Sequence, residues 1–408
     1  MPLVRAVSGR AFGDRGPRAR QPSSAATGNR LAHTDFVVKI HSRCNLACTY
    51  CYVYEMADQS WKVKPTQISS TVIRKTAARI GEYAETHGLS DVRVILHGGE
   101  PLLVGPKTLG YIAEQMRLQV KPSTVLHLSL QTNGTLLSTG SLDVLADSGI
   151  SVSVSVDGDE DDHDRRRRYR GGRGSYRTVA AGIELLRSAR YRSLYRGVLC
   201  TIDLRNDPLR TYEALLAFSP PQMDFLLPHG NWTTPPPGRL KDASTPYADW
   251  LRSMFDHWYG SASRQPGVRI FTEIIHALLG GTPRSEVIGV EPTSIVVVET
   301  DGTIEQVDAL KSAYSGAAAT GLNVEENSFD DVAEHSAFAS QIPGIEGLPN
   351  TCQACKLAVV CGGGYYPHRY QEQTGFNNPS VYCADLQALI GHIRNRIMSD
   401  LSKVRGDT

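Results

Sequence analysis

The sequence predicts an α/β fold in which a partial barrel of six β/α units is followed by a cysteine-bearing C-terminal domain. From residue 35 onward, short β-branched runs alternate with amphipathic stretches, a pattern typical of a parallel α/β array. The alternation recurs only six times before residue 230, which is too few units for a closed eight-stranded barrel. We therefore expect an open one.

Each unit of the predicted barrel pairs a strand with a helix. The strands are predicted at residues 36–40, 92–97, 125–131, 151–156, 197–202 and 224–227. The intervening helices are predicted at residues 69–86, 108–119, 142–147, 176–188 and 209–217. In such barrels the chemistry lies at the C-terminal ends of the strands, because the loops there carry the variable groups.

Composition excludes several classes of protein. The 408 residues include 43 lysines and arginines and 42 acidic residues, so there is no general basic field to attract nucleic acid. We find neither an apolar stretch long enough to span a membrane nor a secretory signal, and we predict a cytoplasmic protein. Because that compartment is reducing, we expect the eight cysteines to be ligands or free thiols rather than disulfides.

Four segments are predicted along the chain. Residues 1–33, rich in arginine, form a mobile basic tail, with a transit peptide or a contact with an acidic peptide as alternatives. Residues 34–230 form the partial barrel, and residues 231–285 form a linker with two bridging helices near 247–259 and 272–279. Residues 286–408 form the C-terminal domain.

Three cysteines follow the first predicted strand in a C-x3-C-x2-C spacing, namely Cys44, Cys48 and Cys51. Three thiolates hold three corners of an iron–sulfur cubane, so the fourth iron is left for a small-molecule ligand. A zinc site and a set of buried cysteines are the alternatives, although zinc usually takes four protein ligands in a structural site.

Small and polar residues follow the next three predicted strands. They are Gly98, Gly99 and Glu100 after the second strand, Asn133 after the third, and Ser155 and Asp157 at the fourth. Paired glycines let the backbone approach a ligand, a glutamate accepts hydrogen bonds from an ammonium group, and short polar side chains suit ribose hydroxyls. Tight turns use the same residue types, so any one of these motifs is also explained by a turn alone.

Over residues 35–230 these motifs together resemble the radical S-adenosylmethionine (SAM) enzymes. The resemblance implies a [4Fe–4S] cluster on Cys44, Cys48 and Cys51, with SAM bound at its open iron and cleaved to a 5′-deoxyadenosyl radical. It further implies SAM contacts from Gly98, Gly99 and Glu100 to the amino group, Tyr50 to the adenine, Ser155 and Asp157 to the ribose, and Arg167 to the carboxylate. The other arginines of this basic tract are equally explained as a solvated or peptide-contacting loop.

A second set of four cysteines lies near the C-terminus, at Cys352, Cys355, Cys361 and Cys383. Four thiolates close a cluster, and they also suit a structural zinc ion. The spacing resembles the C-terminal half of the SPASM domain, the auxiliary-cluster module of peptide-modifying radical SAM enzymes. Tyr365 and Val307 stand where that pattern has further cysteines, so the resemblance implies one auxiliary [4Fe–4S] cluster rather than two. The remaining Cys200 is predicted to be buried in the core.

Asp308 directly follows the lost cysteine position at Val307. In related SPASM enzymes an aspartate at this place takes a proton from the substrate radical, so the resemblance implies that Asp308 is a catalytic base. The alternative is a surface aspartate in a hairpin.

Three runs of sequence, at residues 299–308, 361–370 and 376–383, resemble the FxsB-type maturases. These radical SAM/SPASM enzymes form cyclophanes in ribosomally made peptides. The resemblance implies a precursor peptide as substrate, an electron donor such as flavodoxin or ferredoxin, and a bond between an aromatic ring and a side-chain Cβ. Asp308 would take the proton and the auxiliary cluster the electron.

Two alternatives remain open. One is another SPASM maturase that forms thioethers or oxidises a cysteine or serine to formylglycine, against which the missing second auxiliary cluster argues mildly. The other is a non-catalytic iron–sulfur or zinc protein that binds peptides. Such a carrier would need none of the motifs at the strand ends.

Overall fold

A computed structural model describes residues 34–239, 244–263, 265–291, 295–339 and 344–406. The predicted basic tail at residues 1–33 lies outside the described residues. None of the described helices combines the length and the apolar composition that crossing a bilayer requires.

One ten-stranded sheet organises the described chain, in the order β10-β9-β8-β1-β2-β3-β4-β5-β6-β7. The strands are β1 Asp35–His41, β2 Asp91–Gly98, β3 Val125–Thr132, β4 Ile150–Ser155, β5 Tyr195–Thr201, β6 Gln222–Leu226, β7 Gly267–Val268, β8 Ile295–Val298, β9 Thr303–Glu305 and β10 Ala319–Asn323. Strands β1 to β7 are parallel, and β8 pairs in parallel with β1. The last three strands form an antiparallel meander.

Helices connect the parallel strands and cover their outer face, and further helices follow the last strand of the sheet. The described helices are α1 Ser70–Thr86, α2 Pro106–Gln119, α3 Thr139–Asp147, α4 Glu160–Arg166, α5 Tyr176–Arg187, α6 Pro208–Leu216, α7 Pro246–Gly260, α8 Arg269–Leu278, α9 Phe329–Glu334, α10 Ser336–Ala339, α11 Asn350–Gln353, α12 Ala358–Cys361 and α13 Cys383–Gly406.

The alternating side chains of the strands separate a core from a cavity. In β2, Val92, Val94 and Leu96 are fully buried under the helices, whereas Arg93 and His97 point the other way and line the cavity. Strand side chains alternate between the two faces of a sheet, so every second residue faces the inside. The same alternation on β4 lines the cavity with Ser151, Ser153 and Ser155.

The structure confirms the α/β fold and the six predicted strands, each within two residues at either end. It also confirms the five predicted barrel helices and the two bridging helices. Helix α4 was missed because its seven residues are nearly all charged and carry no apolar period. Strand β8 was not predicted to join the barrel, because its pairing with β1 is a contact between distant segments.

The C-terminal helix α13 is tied to the bridging helix α7 by a side-chain cap. One oxygen of Asp385, Oδ1, accepts hydrogen bonds from the backbone amides of Tyr247 at 2.9 Å and Ala248 at 3.0 Å, both in the first turn of α7. The N-cap residue of α7, Thr245, makes no side-chain cap bond. Asp385 therefore satisfies amides that a helix start otherwise leaves free.

We predict that Asp385→Ala lowers the free energy of unfolding by about 1–3 kcal/mol, because two buried amides lose their acceptor. Urea denaturation of the anaerobically prepared protein, followed by circular dichroism, measures the change. The matched control is Lys403→Ala on the same helix, whose pairing with Asp400 is exposed and should contribute less than about 0.5 kcal/mol. Equal midpoints for the two variants would contradict this role of Asp385.

Candidate active site

A cavity of about 2770 Å³ runs along the inner face of the sheet, from the N-terminal to the C-terminal ends of the parallel strands. Cys44, Cys48 and Cys51 all lie on its wall, in the loop that follows β1. The cavity also reaches the C-terminal region, where Glu286 and Tyr365 line it. It exceeds the roughly 300–1,000 Å³ of ordinary small-molecule pockets.

The cysteine loop is docked on the glycine pair that follows β2. The Gly99 amide donates to the His41 carbonyl at 2.8 Å, and the Glu100 amide donates to the Arg43 carbonyl at 3.0 Å. A Cβ on Gly98 would lie 2.3 Å from the His41 oxygen, and one on Gly99 would lie 2.4 Å from the Arg43 oxygen. Both glycines are thus required by the close approach of this loop, in addition to any approach of a ligand.

The chemistry of the three cysteines fits an iron–sulfur cluster. Burial raises the pKa of Cys44 to about 12 and that of Cys51 to about 11, so these sulfurs become thiolates only when cations such as iron compensate them. The Cys44 sulfur already receives the Leu46 amide at 3.4 Å and the Asn133 side-chain amide at 3.6 Å. Such donors stabilise sulfur that carries negative charge.

The spacing of the thiols argues against a single metal ion. Four thiolates around one zinc ion would place their sulfurs roughly 4 Å apart, since each Zn–S bond is about 2.3 Å long. In the described part of the chain, neither cysteine set brings three thiols within 4.8 Å of one another. Neither set therefore has the spacing of four sulfurs around one zinc ion.

Three residues predicted to contact SAM form one buried network. Arg167 donates from Nη1 to the Tyr50 hydroxyl at 2.6 Å, and that hydroxyl donates to Asp157. Asp157 also accepts the Thr201 amide at 3.0 Å. The Arg167 Nε is buried and has no hydrogen-bond partner among the described residues, so an arginine on the cavity wall keeps one donor for a carboxylate.

The remaining predicted SAM contacts fall into two layers. Gly98, Gly99, Asn133 and Ser155 line the cavity. Glu100 is completely buried behind the wall and accepts from the Leu102 amide at 3.0 Å, the Thr132 hydroxyl at 2.7 Å and the Asn133 amide at 2.8 Å. Its carboxylate thereby fixes the loops after β2 and β3 to each other.

Asp308 is buried, so the alternative of a surface aspartate is wrong. It pairs with Lys39 of β1 and lies 3.5 Å from Lys311. Burial would raise the pKa of Asp308, but these two ammonium groups hold it below its ordinary value. The Tyr52 hydroxyl, on the cavity wall, is 3.4 Å from Asp308, so the carboxylate lies ionised directly behind that tyrosine.

The four C-terminal cysteines line a separate pocket of about 140 Å³. Gly362, Gly363 and Gly364, which follow Cys361, all have positive φ between 61° and 73°, and a Cβ on Gly362 would lie 1.6 Å from the Gly289 oxygen. The Leu357 amide donates to the Cys355 sulfur at 3.5 Å. A tight glycine turn with donors to sulfur fits a cluster site.

Two positions that lack the cysteine of the SPASM pattern are filled in different ways. Val307 is buried in an apolar group with Leu310 and Ala318. Tyr365 instead lines the large cavity beside Glu286.

Several residues of the site were missed from the sequence. They are Lys39, Tyr52, His97, His229 and Glu286. Tyr52 and His97 adjoin recognised motifs, and their position beside those motifs could have indicated them. The other three carry no local signal, since only the fold brings them to the cavity.

Comparisons with known proteins agree with this geometry. Residues 38–215 match the family model of the Radical SAM superfamily. The chain is 22% identical over 373 residues to a cysteine-type anaerobic sulfatase-maturating enzyme of Clostridium perfringens. This alignment covers 89% of this chain and 97% of that protein. Together with the two thiol sets, these matches make SAM and [4Fe–4S] clusters the cofactors of this chain.

Solved structures show the same fold. Native anSMEcpe with bound AdoMet superposes with a TM-score of 0.76 at 21% identity, covering 90% of this chain and 98% of that one. Streptococcus suis SuiB bound to its precursor peptide SuiA superposes with a TM-score of 0.55 at 15% identity, covering 86% of this chain and 76% of that one.

We predict that Arg167→Lys weakens SAM binding by about 10- to 100-fold, because a lysine cannot hold Tyr50 and a ligand carboxylate with one planar group. Isothermal titration of SAM into the anaerobic protein measures the dissociation constant. Arg168→Lys is the matched control, since Arg168 is exposed beside it and should leave affinity unchanged. If Arg167→Lys bound SAM with wild-type affinity, the prediction that Arg167 contacts SAM would be wrong.

Proposed function

We propose that this chain, a member of the radical SAM superfamily, crosslinks an aromatic ring carbon to a side-chain Cβ in a ribosomally made precursor peptide. The observation that carries the proposal is the position of Asp308, an ionised carboxylate behind Tyr52 on a cavity that the three-cysteine loop also lines. The cavity is large enough for SAM and a peptide segment together.

The reaction removes two hydrogens from the peptide. Cys44, Cys48 and Cys51 would hold the cluster, and SAM bound there would, with one electron from an external donor, give methionine and a 5′-deoxyadenosyl radical able to take a hydrogen atom from a side-chain Cβ. The resulting carbon radical adds to the aromatic ring of a nearby residue of the peptide. One proton and one electron must then leave the ring, which restores its aromaticity and completes the new bond.

The chain's own residues account for the proton. Lys39 and Lys311 keep Asp308 ionised, and Tyr52 stands between that carboxylate and the cavity. A weak base suffices at this step because loss of the proton restores an aromatic ring. The second thiol set is the place where a redox centre that accepts the electron would be held.

Sequence resemblance supports the peptide crosslink in particular. The runs at residues 299–308, 361–370 and 376–383 resemble the FxsB-type maturases. SuiB, which shares the fold, has been solved with its precursor peptide. We propose a flavodoxin or ferredoxin as the electron donor.

A second function is favoured by the relatives themselves. The similarity to the cysteine-type sulfatase-maturating enzyme extends over 97% of that protein, which makes oxidation of a cysteine or serine to formylglycine the competing reaction. Formylglycine carries an aldehyde, whereas a carbon–carbon crosslink carries none. A hydrazide reagent therefore separates the two products.

We predict that co-expression with short peptides encoded beside the gene yields a peptide lacking two hydrogens. Tandem mass spectrometry should place the loss within one aromatic-containing segment that resists fragmentation and does not react with hydrazide. Cys44→Ala should abolish both SAM cleavage and product, whereas Cys383→Ala should retain some cleavage and lose the product. An aldehyde in the product, or unmodified peptides in every combination, would overturn the crosslinking proposal.

We also predict that Asp308→Asn continues to form 5′-deoxyadenosine but forms crosslinked peptide about 100-fold more slowly, as expected for loss of a proton acceptor. Chromatography of both products from one reaction gives the ratio. Asp301→Asn is the control. Asp301 lies in the turn between β8 and β9 and also pairs with a lysine, Lys64, but its side chain is partly exposed. Far-ultraviolet circular dichroism and iron content verify that the variant is folded. A wild-type product ratio in Asp308→Asn would exclude it as the base.

A further inference from the structure

Four side chains on the cavity wall form a group of which the proposed chemistry uses only Tyr52. The rings of Tyr52 and His229 lie 4.6 Å apart, and those of His229 and Tyr365 lie 6.2 Å apart. Glu286 lies close enough to Tyr365 for each side chain to shift the pKa of the other. Three aromatic rings and one carboxylate therefore share one region of the wall, between the cysteine loop and the C-terminal region.

The carboxylate of Glu286 has no ion-pair partner among the described residues. Arg269, whose charge is felt at Glu286, forms its own ion pair with Asp224, to which its Nε donates at 2.7 Å. Burial raises the pKa of Glu286, whereas Tyr365 and Arg269 lower it. A carboxylate that is partly shielded from water and has no direct counter-ion is costly to ionise, and a cationic ligand would lower that cost.

The imidazole ring of His229, in the same group, also lacks a hydrogen-bond partner at one nitrogen. The Nδ1 atom of His229 is buried and has no hydrogen-bond partner within the described part of the chain. Burial lowers the pKa of His229 to about 4, so at neutral pH the ring carries no charge that could pair with Glu286. The group thus presents one carboxyl group, neutral aromatic faces and a ring nitrogen without a partner among the described residues.

We propose that Glu286, with Tyr52, His229 and Tyr365, binds a cationic side chain, arginine or lysine, of the substrate peptide. A carboxylate forms charge-assisted hydrogen bonds with such a group, and aromatic faces attract it through their quadrupoles. The inference rests on the proposed function in one respect, namely that the occupant of the cavity is a peptide.

The place of Tyr365 in the sequence supports this role. It occupies a position where the SPASM-like pattern has a cysteine, directly after the three glycines that follow Cys361. This tyrosine lines the cavity beside Glu286. A position that would otherwise hold a cluster ligand thereby becomes part of the peptide-binding surface.

The test measures binding of a defined probe to the holoenzyme with SAM bound. Isothermal titration compares the blocked tripeptide acetyl-Gly-Arg-Gly-amide with the same peptide carrying citrulline, which has nearly the same shape but no charge. We expect the arginine peptide to bind about 10-fold more tightly. In Glu286→Gln the two peptides should bind equally, and Tyr365→Phe should reduce the preference.

Glu291→Gln is the matched control, because Glu291 lines the same cavity but is exposed, and it should keep the preference for arginine. Affinity for SAM should be unchanged in Glu286→Gln, which excludes SAM itself as the cation. Equal binding of both peptides to the wild type, or a preserved preference in Glu286→Gln, would overturn the proposal. Failure of the crosslinking experiment would leave this charge-dependent binding intact, so the two proposals fail separately.

Discussion

The ion pair between Lys39 and Asp308 joins the two halves of this protein. Lys39 lies on β1, the strand that leads into the first cysteine loop, and Asp308 follows the hairpin of β8 and β9. Both side chains are buried, and Lys311 and Tyr52 complete the group. Removing one partner from a buried pair costs about 3–5 kcal/mol, so the pairing of β8 with β1 and the position of the carboxylate depend on each other.

This constraint explains why structural and catalytic needs coincide at one place. The loop that carries Cys44 to Cys51 is fixed on one side by Gly98 and Gly99 and on the other by the strand that holds Lys39. A carboxylate anchored to that strand keeps a constant distance from the cysteine loop. In the proposed reaction, proton removal and radical generation would therefore share one preorganised wall, which reduces the reorganisation that each step requires.

Local pattern was sufficient for the barrel but not for its cavity. Strands such as β2 were predictable because residues that pack in the core alternate with residues that face the cavity at consecutive positions of the sequence. Asp308 was named only through a resemblance, and neither its burial nor its two lysines could be predicted, since Lys39 lies 269 positions away in sequence. Glu286 and His229 belong to no sequence motif, so their place in the site could be recognised only from the rings of Tyr52 and Tyr365 that the fold brings beside them.

The two positions without cysteine show how a lost ligand can be replaced by a binding surface. An apolar residue at Val307 packs with Leu310 and Ala318, so that side of the former site is closed by burial. Tyr365 instead faces the cavity beside Glu286, whose carboxyl group forms no ion pair with any described residue. In our proposal, a positive charge of the peptide offsets the cost of ionising that group. The same departure from the cysteine pattern then contributes to peptide selectivity.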